Sequence, residues 1–342
     1  MDSRNIAGVA AAALAAACAG ASAQDKVVLR FADSIPATHA FTTQVAKPWM
    51  AEVTRLTNGA VEFQHFPAEQ LGKATDMLKL AQTGVADIAF VVPPYVSDKM
   101  PLSGVVELPG GFATSCAGVK GLWKLANGGI LDKAEFQPQG MKLLFAIVQP
   151  PFQVFTKTRK MENLKDFQGM KLRTTGAGMD MMVNKLNAVP VRLSAPEVNE
   201  SLSRGTIDGG VLAIVSVGAY GLTPMIKHAT RGENFGSAAL FYMISDTAWK
   251  KLTPAMQKAM VEAGRKVTFE GCGKIDEGAV ADIEKMRAGG VTFAEFSAAD
   301  RKALGDIFDA VGKEWAQGLD GRGKPGSAVR KEFVEALGEA GK

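Results

Sequence analysis

An arginine at the end of a predicted strand is the residue of this sequence best placed to bind a ligand. Residues 170–174 predict a strand, and a helix is predicted to open at Gly176 and to run to Leu186. Arg173 would therefore lie at the carboxyl end of a strand and just before a helix N-terminus, where open α/β sheets bind ligands. Its planar guanidinium can hold a carboxylate through two parallel hydrogen bonds. A surface arginine paired with an acid is the alternative, and the strand-end position alone does not decide between the two.

Patterns typical of catalysis or metal binding are scarce in the sequence. The three histidines, His39, His65 and His228, lack the i,i+4 spacing of metal ligands. Residues 72–75 resemble the end of a phosphate loop, but Pro67 occupies the position of its first glycine. A Gly-x-Ser-x-Gly elbow and a cysteine-nucleophile signature are also missing. We therefore predict a protein that is not an enzyme and that uses no cofactor and no metal.

The N-terminal segment predicts export to the periplasm. Residues 1–23 carry one early cation, Arg4, followed by an alanine-rich apolar run that ends in Ala21-Ser22-Ala23. This pattern is typical of a signal peptide, here cleaved after Ala23. The run is shorter than the ~20 residues of a spanning helix, which argues against a membrane anchor. Lipid attachment at Cys18 is a weaker alternative, because no leucine stands three residues before it.

The charge distribution limits the classes of partner, and the cysteine count limits the possible disulfides. The net charge of +4 is spread along the chain without a block of Lys or Arg, so we expect no nucleic-acid partner. Later apolar stretches have the length of buried strands rather than membrane spans. Only Cys116 and Cys272 remain after signal removal. Two cysteines in a large domain more often stay reduced and buried than paired, so free thiols are favoured and a disulfide stays open.

The elements that must position Arg173 follow an alternating strand and helix pattern. This pattern predicts an α/β fold with mostly parallel sheets flanked by helices. A helix, Gly-x-x-Asp and strand pattern occurs at 80–92 and again at 202–214, which suggests two lobes built on similar units, although such junctions also arise by chance. The predicted strands are 27–32, 60–66 and 88–92, and the predicted helical segments are 42–57, 75–82, 198–204, 246–287 and 297–337.

Four motifs in order resemble the periplasmic binding protein of tripartite ATP-independent (TRAP) transporters, of the C4-dicarboxylate-binding type. They are residues 29–39, the turn at 66–72, the G-x-K-x-R of Gly169, Lys171 and Arg173, and the segment 197–209. The resemblance covers almost all of residues 25–300. It implies a two-lobed fold with a long helix crossing both lobes, which close on the ligand, and it implies a salt bridge from Arg173 to the ligand carboxylate. It also implies two membrane subunits driven by an ion gradient.

The resemblance leads to an expected division of the chain. We expect lobe I to comprise 24–148 and 236–280, and lobe II to comprise 149–235 and 281–342. We also expect a monomer. The binding protein of an ATP-driven importer, a sensor with the same lobes and a periplasmic enzyme remain alternatives.

Departures from the family pattern bear on the ligand. Segment 149–155 lacks the second arginine that the resemblance implies for sialic-acid binding, and the apolar segment 209–214 lacks an asparagine that often contacts the ligand. One charged group among apolar walls favours a monocarboxylate with an apolar or aromatic body. C4-dicarboxylates and 2-oxo or hydroxy acids are the alternatives. The candidate contacts are Arg173 and Gln153 as polar partners, Phe41, Tyr95, Phe152, Leu212 and Phe235 as walls or ordinary core, and Thr38, His39 and Gln70 from loops of lobe I.

Overall fold

The strands of the protein form two sheets. The computed structural model describes residues 26–340, so the predicted signal peptide and Cys18 lie outside the described residues. The first sheet has the order β2-β1-β3-β10-β4 and comprises β1 (Val27–Ala32), β2 (Val61–Phe66), β3 (Ile88–Val91), β4 (Met141–Val148) and β10 (Ala239–Ser245). The second has the order β11-β9-β5-β8-β6-β7 and comprises β5 (Gln153–Thr156), β6 (Lys171–Thr174), β7 (Val189–Arg192), β8 (Gly209–Leu212), β9 (His228–Thr230) and β11 (Thr292–Ala294).

Both sheets are mixed, so the expectation of mostly parallel pairing is only partly met. Strand β10 runs antiparallel to β3 and β4, and β5 runs antiparallel to β8 and β9. The other described pairs are parallel. The chain enters β5 and β10 directly after passing from one sheet to the other. No strand–helix–strand unit precedes them within their own sheet, and it is such units that impose parallel pairing.

Helices cover the sheets, and the two-lobed α/β prediction is confirmed. The helices are α1 (Lys47–Leu56), α2 (Met77–Gln82), α3 (Ser115–Ala126), α4 (Ala177–Lys185), α5 (Val198–Ser203), α6 (Ile214–Val217), α7 (Asp246–Trp249), α8 (Pro254–Ala288), α9 (Ala298–Asp320) and α10 (Gly326–Ala340). Within residues 26–340, no helix is both long and apolar enough to cross a membrane.

The predicted long helix is α8, with 35 residues. Its start is set by Thr253, whose hydroxyl accepts from the N–H of Met256, and by Pro254 in the first turn. It packs against β4 and α3 on the side of the first sheet and against α6 on the side of the second. One helix therefore spans both lobes, and the predicted helical segment 246–287 contains two helices, α7 and α8.

The two C-terminal helices pack on different partners. Helix α9 lies against α4, beside the second sheet, whereas α10 lies against α3, beside the first sheet. Phe333 of α10 makes an edge contact with Phe112, with ring centroids 6.3 Å apart. The boundaries given above for lobes I and II remain a prediction.

A disulfide joins Cys116 to Cys272, which corrects the expectation of free thiols. Cys116 lies in the first turn of α3 and Cys272 lies midway along α8, with Cα atoms 4.9 Å apart. These helices pack directly on each other, so two thiols separated by 156 positions in sequence meet in space. The bond ties the long helix to α3 and suits an oxidising compartment.

Candidate functional site

Arg173 is an almost fully buried residue of β6, with 1% of its surface exposed. Its Nε donates to the carbonyl of Leu193 at 3.0 Å, and Nη1 donates to the carbonyl of Val211 at 3.0 Å. Its Nη2 donates to the hydroxyl of Tyr95 at 3.2 Å. A guanidinium has five N–H groups, so one remains on each of Nη1 and Nη2. The ion pairs described within residues 26–340 include no acid bound to Arg173, so the alternative of a surface arginine paired with an acid does not apply.

Two glycines of β8 let the strands approach closely enough to hold Arg173. A Cβ on Gly209 would lie 2.0 Å from the carbonyl oxygen of Phe155 on β5. Gly210 pairs with Arg173 across β6 and β8, and a Cβ on it would lie 2.9 Å from the Cβ of Arg173. Glycine is therefore required at both positions on steric grounds. A side chain at 209 or 210 would displace Arg173 or strand β5.

Tyr95 connects Arg173 to the loops of the first sheet. It lies in the short turn Pro93–Val96 that follows β3. Its hydroxyl oxygen accepts from Nη2 of Arg173 and, at 2.8 Å, from the backbone N–H of Ala195. Both donors belong to the second-sheet side, so one oxygen bridges the two lobes. Burial raises the pKa of Tyr95 and the charge of Arg173 opposes this, so the group stays a neutral hydroxyl.

Arg173 lines a small cavity of about 30 Å³ between the two sheets. This is the volume of about one water molecule and lies well below the ~300–1,000 Å³ of small-molecule sites, so the walls must move apart before an organic acid can enter. Much of the wall is apolar, and no lysine and no other arginine is among the lining residues that the structure describes. The large apolar side chains of the wall include Ile35, Phe41, Phe90, Phe152, Leu212 and Leu240.

Six of the sequence-predicted residues meet at this cavity. They come from the loop after β1, the turn after β3, the start of β5, and strands β6 and β8, and all face the space between the sheets. Their role as ligand contacts remains a proposal. The six residues are His39, Phe41, Tyr95, Phe152, Arg173 and Leu212.

Gln153 lies on the opposite face of β5 from the cavity. Successive side chains of a strand point to opposite faces, so the burial of Phe152 in the cavity wall turns Gln153 away. Its Nε2 donates to the carbonyl of Glu233 at 2.5 Å, and its Oε1 accepts from Thr230 at 3.0 Å. It lines a separate groove of about 650 Å³. The structure therefore does not bring Gln153 to Arg173, which corrects the predicted grouping.

Three further predicted residues also lie outside the cavity. Phe235 is fully buried and packs against Phe167 and Phe308, with ring centroids 6.0 and 5.8 Å apart, so it belongs to the core. Thr38 and Gln70 are exposed in the loops after β1 and β2 and do not line the cavity. The sequence alone does not distinguish such exposed loop positions from loop positions whose side chains point into the cavity.

His39 forms a second contact between the lobes. Its Nδ1 accepts from the backbone N–H of Phe41 at 3.2 Å, and its Nε2 lies 3.3 Å from the hydroxyl of Ser216 on α6. Burial lowers the pKa of His39 to about 4, so the ring is neutral at pH 7. Because Nδ1 accepts, Nε2 carries the proton and donates to Ser216. The hydroxyl hydrogen of Ser216 remains available to another acceptor.

The buried carboxyl group of Glu107 forms a third contact between the lobes, near Arg173. Glu107 accepts hydrogen bonds from the hydroxyl of Thr175, which follows β6, and from the backbone N–H of Gly178 in α4. Burial raises the pKa of Glu107 to about 7, and the negative charge of Asp180 adds to this. The two hydrogen bonds and the charge of Arg192 oppose the rise. This carboxyl group is therefore partly protonated near neutral pH.

Comparison with known proteins identifies the family. Residues 31–318 match the family model DctP, described as bacterial extracellular solute-binding protein, family 7. The chain belongs to this family. A family 7 relative, the C4-dicarboxylate-binding periplasmic protein DctP of Rhodobacter capsulatus, is 25% identical over 271 residues, which are 77% of this chain and 79% of the relative. The resemblance predicted from the four motifs is thereby confirmed.

Solved structures share the fold of this family 7 protein. A marine metagenome TRAP solute-binding protein specific for aromatic acid ligands, in complex with metahydroxyphenylacetate, has a TM-score of 0.86 at 22% identity, covering 93% of this chain and 100% of that one. A TRAP solute-binding protein from Rhodoferax ferrireducens, in complex with copurified benzoate, has a TM-score of 0.86 at 22% identity, covering 92% and 98%. At these identities the likeness establishes the fold.

The wall of this family 7 protein is less apolar than the sequence predicted. Ser34, Gln149, Ser216 and Tyr220 line the cavity with polar groups and were not among the predicted contacts. Gln149 lies in the segment 149–155 after β4, in which Gln153 is the predicted polar contact. Strand alternation would place positions four apart on the same face, but Pro150 and Pro151 interrupt the strand between the two glutamines, and this is the signal that they can face different sides.

Proposed function

We propose that this protein is a periplasmic receptor that binds a monocarboxylate with an apolar or aromatic body in the cavity between its lobes. Arg173 binds the carboxylate in this proposal. The observation that carries it is a guanidinium with 1% exposure that has no acid partner among residues 26–340 and retains one N–H on each terminal nitrogen. A buried charge without a counter-ion is costly, and an end-on carboxylate fits two parallel N–H groups.

The apolar wall supports one carboxylate rather than two. A second carboxylate would need its own cation or several donors, and the described lining contains no lysine and no arginine besides Arg173. Aromatic side chains such as Phe41, Phe90 and Phe152 suit a flat apolar body. The bound benzoate and metahydroxyphenylacetate of the two structural neighbours agree with this class. A C4-dicarboxylate is the second candidate, because the Rhodobacter capsulatus relative is named for that class.

The hydrogen bonds of His39 support a receptor rather than a hydrolase. A serine next to a histidine would resemble a nucleophile and its base. Here Nδ1 accepts from a backbone N–H, so Nε2 is protonated and cannot accept the proton of Ser216. The pair therefore serves as a contact between lobes.

The remaining parts of the proposal concern location and partners. We propose cleavage of the export signal after Ala23 and delivery of the ligand to the membrane subunits of a TRAP transporter. We also propose a monomer whose lobe I (24–148, 236–280) and lobe II (149–235, 281–342) close around the ligand. The family description as extracellular solute-binding protein supports the location.

Thermal unfolding and calorimetry with a panel of organic acids test the proposal. A ligand at 100 times its Kd should stabilise the native state by about 2.7 kcal/mol. Arg173→Ala should abolish this shift for every acid. Arg192→Ala removes a half-exposed arginine from the neighbouring strand β7 and is the matched control, so it should keep the shift. Retention of the shift by Arg173→Ala, or tighter binding of succinate than of benzoate, would contradict the proposal.

A further inference from the structure

Gln149 is a fixed residue on the wall of the Arg173 cavity. Its backbone N–H donates to Ala238 at 3.0 Å, and its carbonyl accepts from the hydroxyl of Ser237 at 2.7 Å. Pro150 and Pro151 follow and stiffen the chain. The residue is 8% exposed and lines the same cavity as Arg173. Its side chain therefore has little freedom to leave the cavity.

The side-chain amide of Gln149 has unused hydrogen-bonding capacity. Its Oε1 is buried and has no hydrogen-bond partner among the residues that the structure describes. Within residues 26–340, two other buried side-chain atoms share this state, Oε1 of Gln44 and Nε2 of His65, and neither residue lines the cavity. Native proteins pair the large majority of buried polar atoms with protein groups or water, so a group from outside the chain, a water or a ligand atom, would complete this amide.

The chemistry of the amide indicates what the partner is. An amide oxygen needs a hydrogen-bond donor, which a carboxylate or a ketone does not supply. If the amide is turned by 180°, its N–H groups need an acceptor instead. A hydroxyl group is both donor and acceptor and satisfies either orientation.

We infer that Gln149 binds a hydroxyl group of the ligand, so the ligand is a hydroxy-substituted monocarboxylate. This inference rests on the proposed function, because it places the carboxylate on Arg173 and the hydroxyl on Gln149. The apolar body then lies against the aromatic wall between these two polar contacts. Gln149 is in this view a specificity-determining residue that discriminates against the same acid without its hydroxyl.

Matched pairs of acids test this inference by calorimetry. The probes are benzoate with its three monohydroxy isomers, and phenylacetate with mandelate and 3-hydroxyphenylacetate. The wild type should bind at least one hydroxy acid about 5- to 150-fold more tightly than its parent acid. Gln149→Met should lose this preference and bind the hydroxy acid and its parent acid with similar Kd values. Gln44→Met, which removes an equally unpaired amide away from the cavity, should keep it.

A second variant separates loss of the hydrogen bond from disturbed folding. Gln149→Glu keeps an acceptor for the hydroxyl and repels both members of a pair equally, so it should bind all acids more weakly but retain the hydroxyl preference. Parent acids that bind through Arg173 with no hydroxyl preference in the wild type would overturn this inference alone. So would a preference that persists in Gln149→Met. A wild type that binds none of the acids, or an Arg173→Ala variant that binds normally, would overturn the proposed function as well.

Discussion

Replacing Tyr95 with phenylalanine should weaken ligand binding while leaving the free protein almost as stable as the wild type. The substitution removes one oxygen, which accepts from Nη2 of Arg173 and from the N–H of Ala195. Tyr95 follows β3 of the first sheet, and both donors lie on the side of the second sheet. These hydrogen bonds therefore form only when the lobes meet, and the proposed function makes ligand binding the event that brings them together.

The magnitude follows from the two donors that lose their acceptor. A hydrogen bond between neutral groups contributes about 0.5–1.5 kcal/mol, and one with a charged group contributes about 1.5–3 kcal/mol. The released N–H of Arg173 can turn to the ligand carboxylate. The expected loss therefore lies near the lower end of the sum of these two hydrogen-bond contributions. We expect a loss of about 2–3 kcal/mol, which raises Kd about 30- to 150-fold.

Isothermal titration calorimetry with the best-binding acid measures Kd, and thermal unfolding without ligand measures the free protein. Tyr242→Phe is the matched control, because it deletes the same atom within one lobe, where the hydroxyl of Tyr242 on β10 donates to Asp33 at 3.3 Å. The control should lower Tm of the free protein and change Kd by less than about threefold. The reasoning fails if Tyr95→Phe leaves Kd unchanged, or if it lowers Tm of the free protein as much as Tyr242→Phe does.

Three further predictions concern stability and packing. Cys272→Ser opens a loop of 156 positions and should lower the free energy of unfolding by up to about 5 kcal/mol in urea, and an unchanged midpoint would show that the bond contributes nothing. Burial raises the pKa of Glu107 to about 7 from 4.5, so its stabilising contribution is full below pH 4.5 and is lost as pH rises through 7. Relative to Glu107→Gln, the wild type should lose about 3 kcal/mol between pH 4.5 and 8, and parallel pH profiles would contradict this. Gly210→Ala should raise Kd at least about tenfold by displacing Arg173, whereas Gly218→Ala, whose Cβ would meet nothing closer than 3.9 Å, should not.

Much of the local structure could be predicted from the sequence. Strand β1 was predicted with its observed bounds, and β2 and β3 with bounds one residue longer. The strand that contains Arg173 and the helix after it also lie where they were predicted. These features depend on short-range patterns, namely apolar runs, glycine stops and capping side chains, which a single sequence contains.

The composition of the cavity wall could be predicted only in part. Arg173, Phe152 and Leu212 were found because motif order fixed their strands. Gln153 is the predicted polar contact in place of Gln149, and the two positions would share a face if the strand were continuous through both. Gln149 precedes β5, so its direction depends on how the chain crosses between the sheets, and no periodicity describes that crossing.

Contacts between distant segments were the least predictable. The Cys116–Cys272 bond depends on α3 lying against α8, and the bridge of His39 to Ser216 depends on how two lobes meet. Each pair is separated by more than 150 positions. Composition favoured free thiols, but helix packing decided the outcome.

The strand order of the first sheet has a consequence for how the chain folds. That sheet is complete only when β10 (Ala239–Ser245) inserts between β3 and β4. The five strands β5 to β9 of the second sheet lie together within residues 153–230, so they can pair before β10 is available. Because synthesis proceeds from the N-terminus, most of the second sheet can assemble first. The first sheet keeps unpaired strand edges until β10 has been made. Nascent chains shorter than about 245 residues are therefore the species that most need protection from aggregation during synthesis.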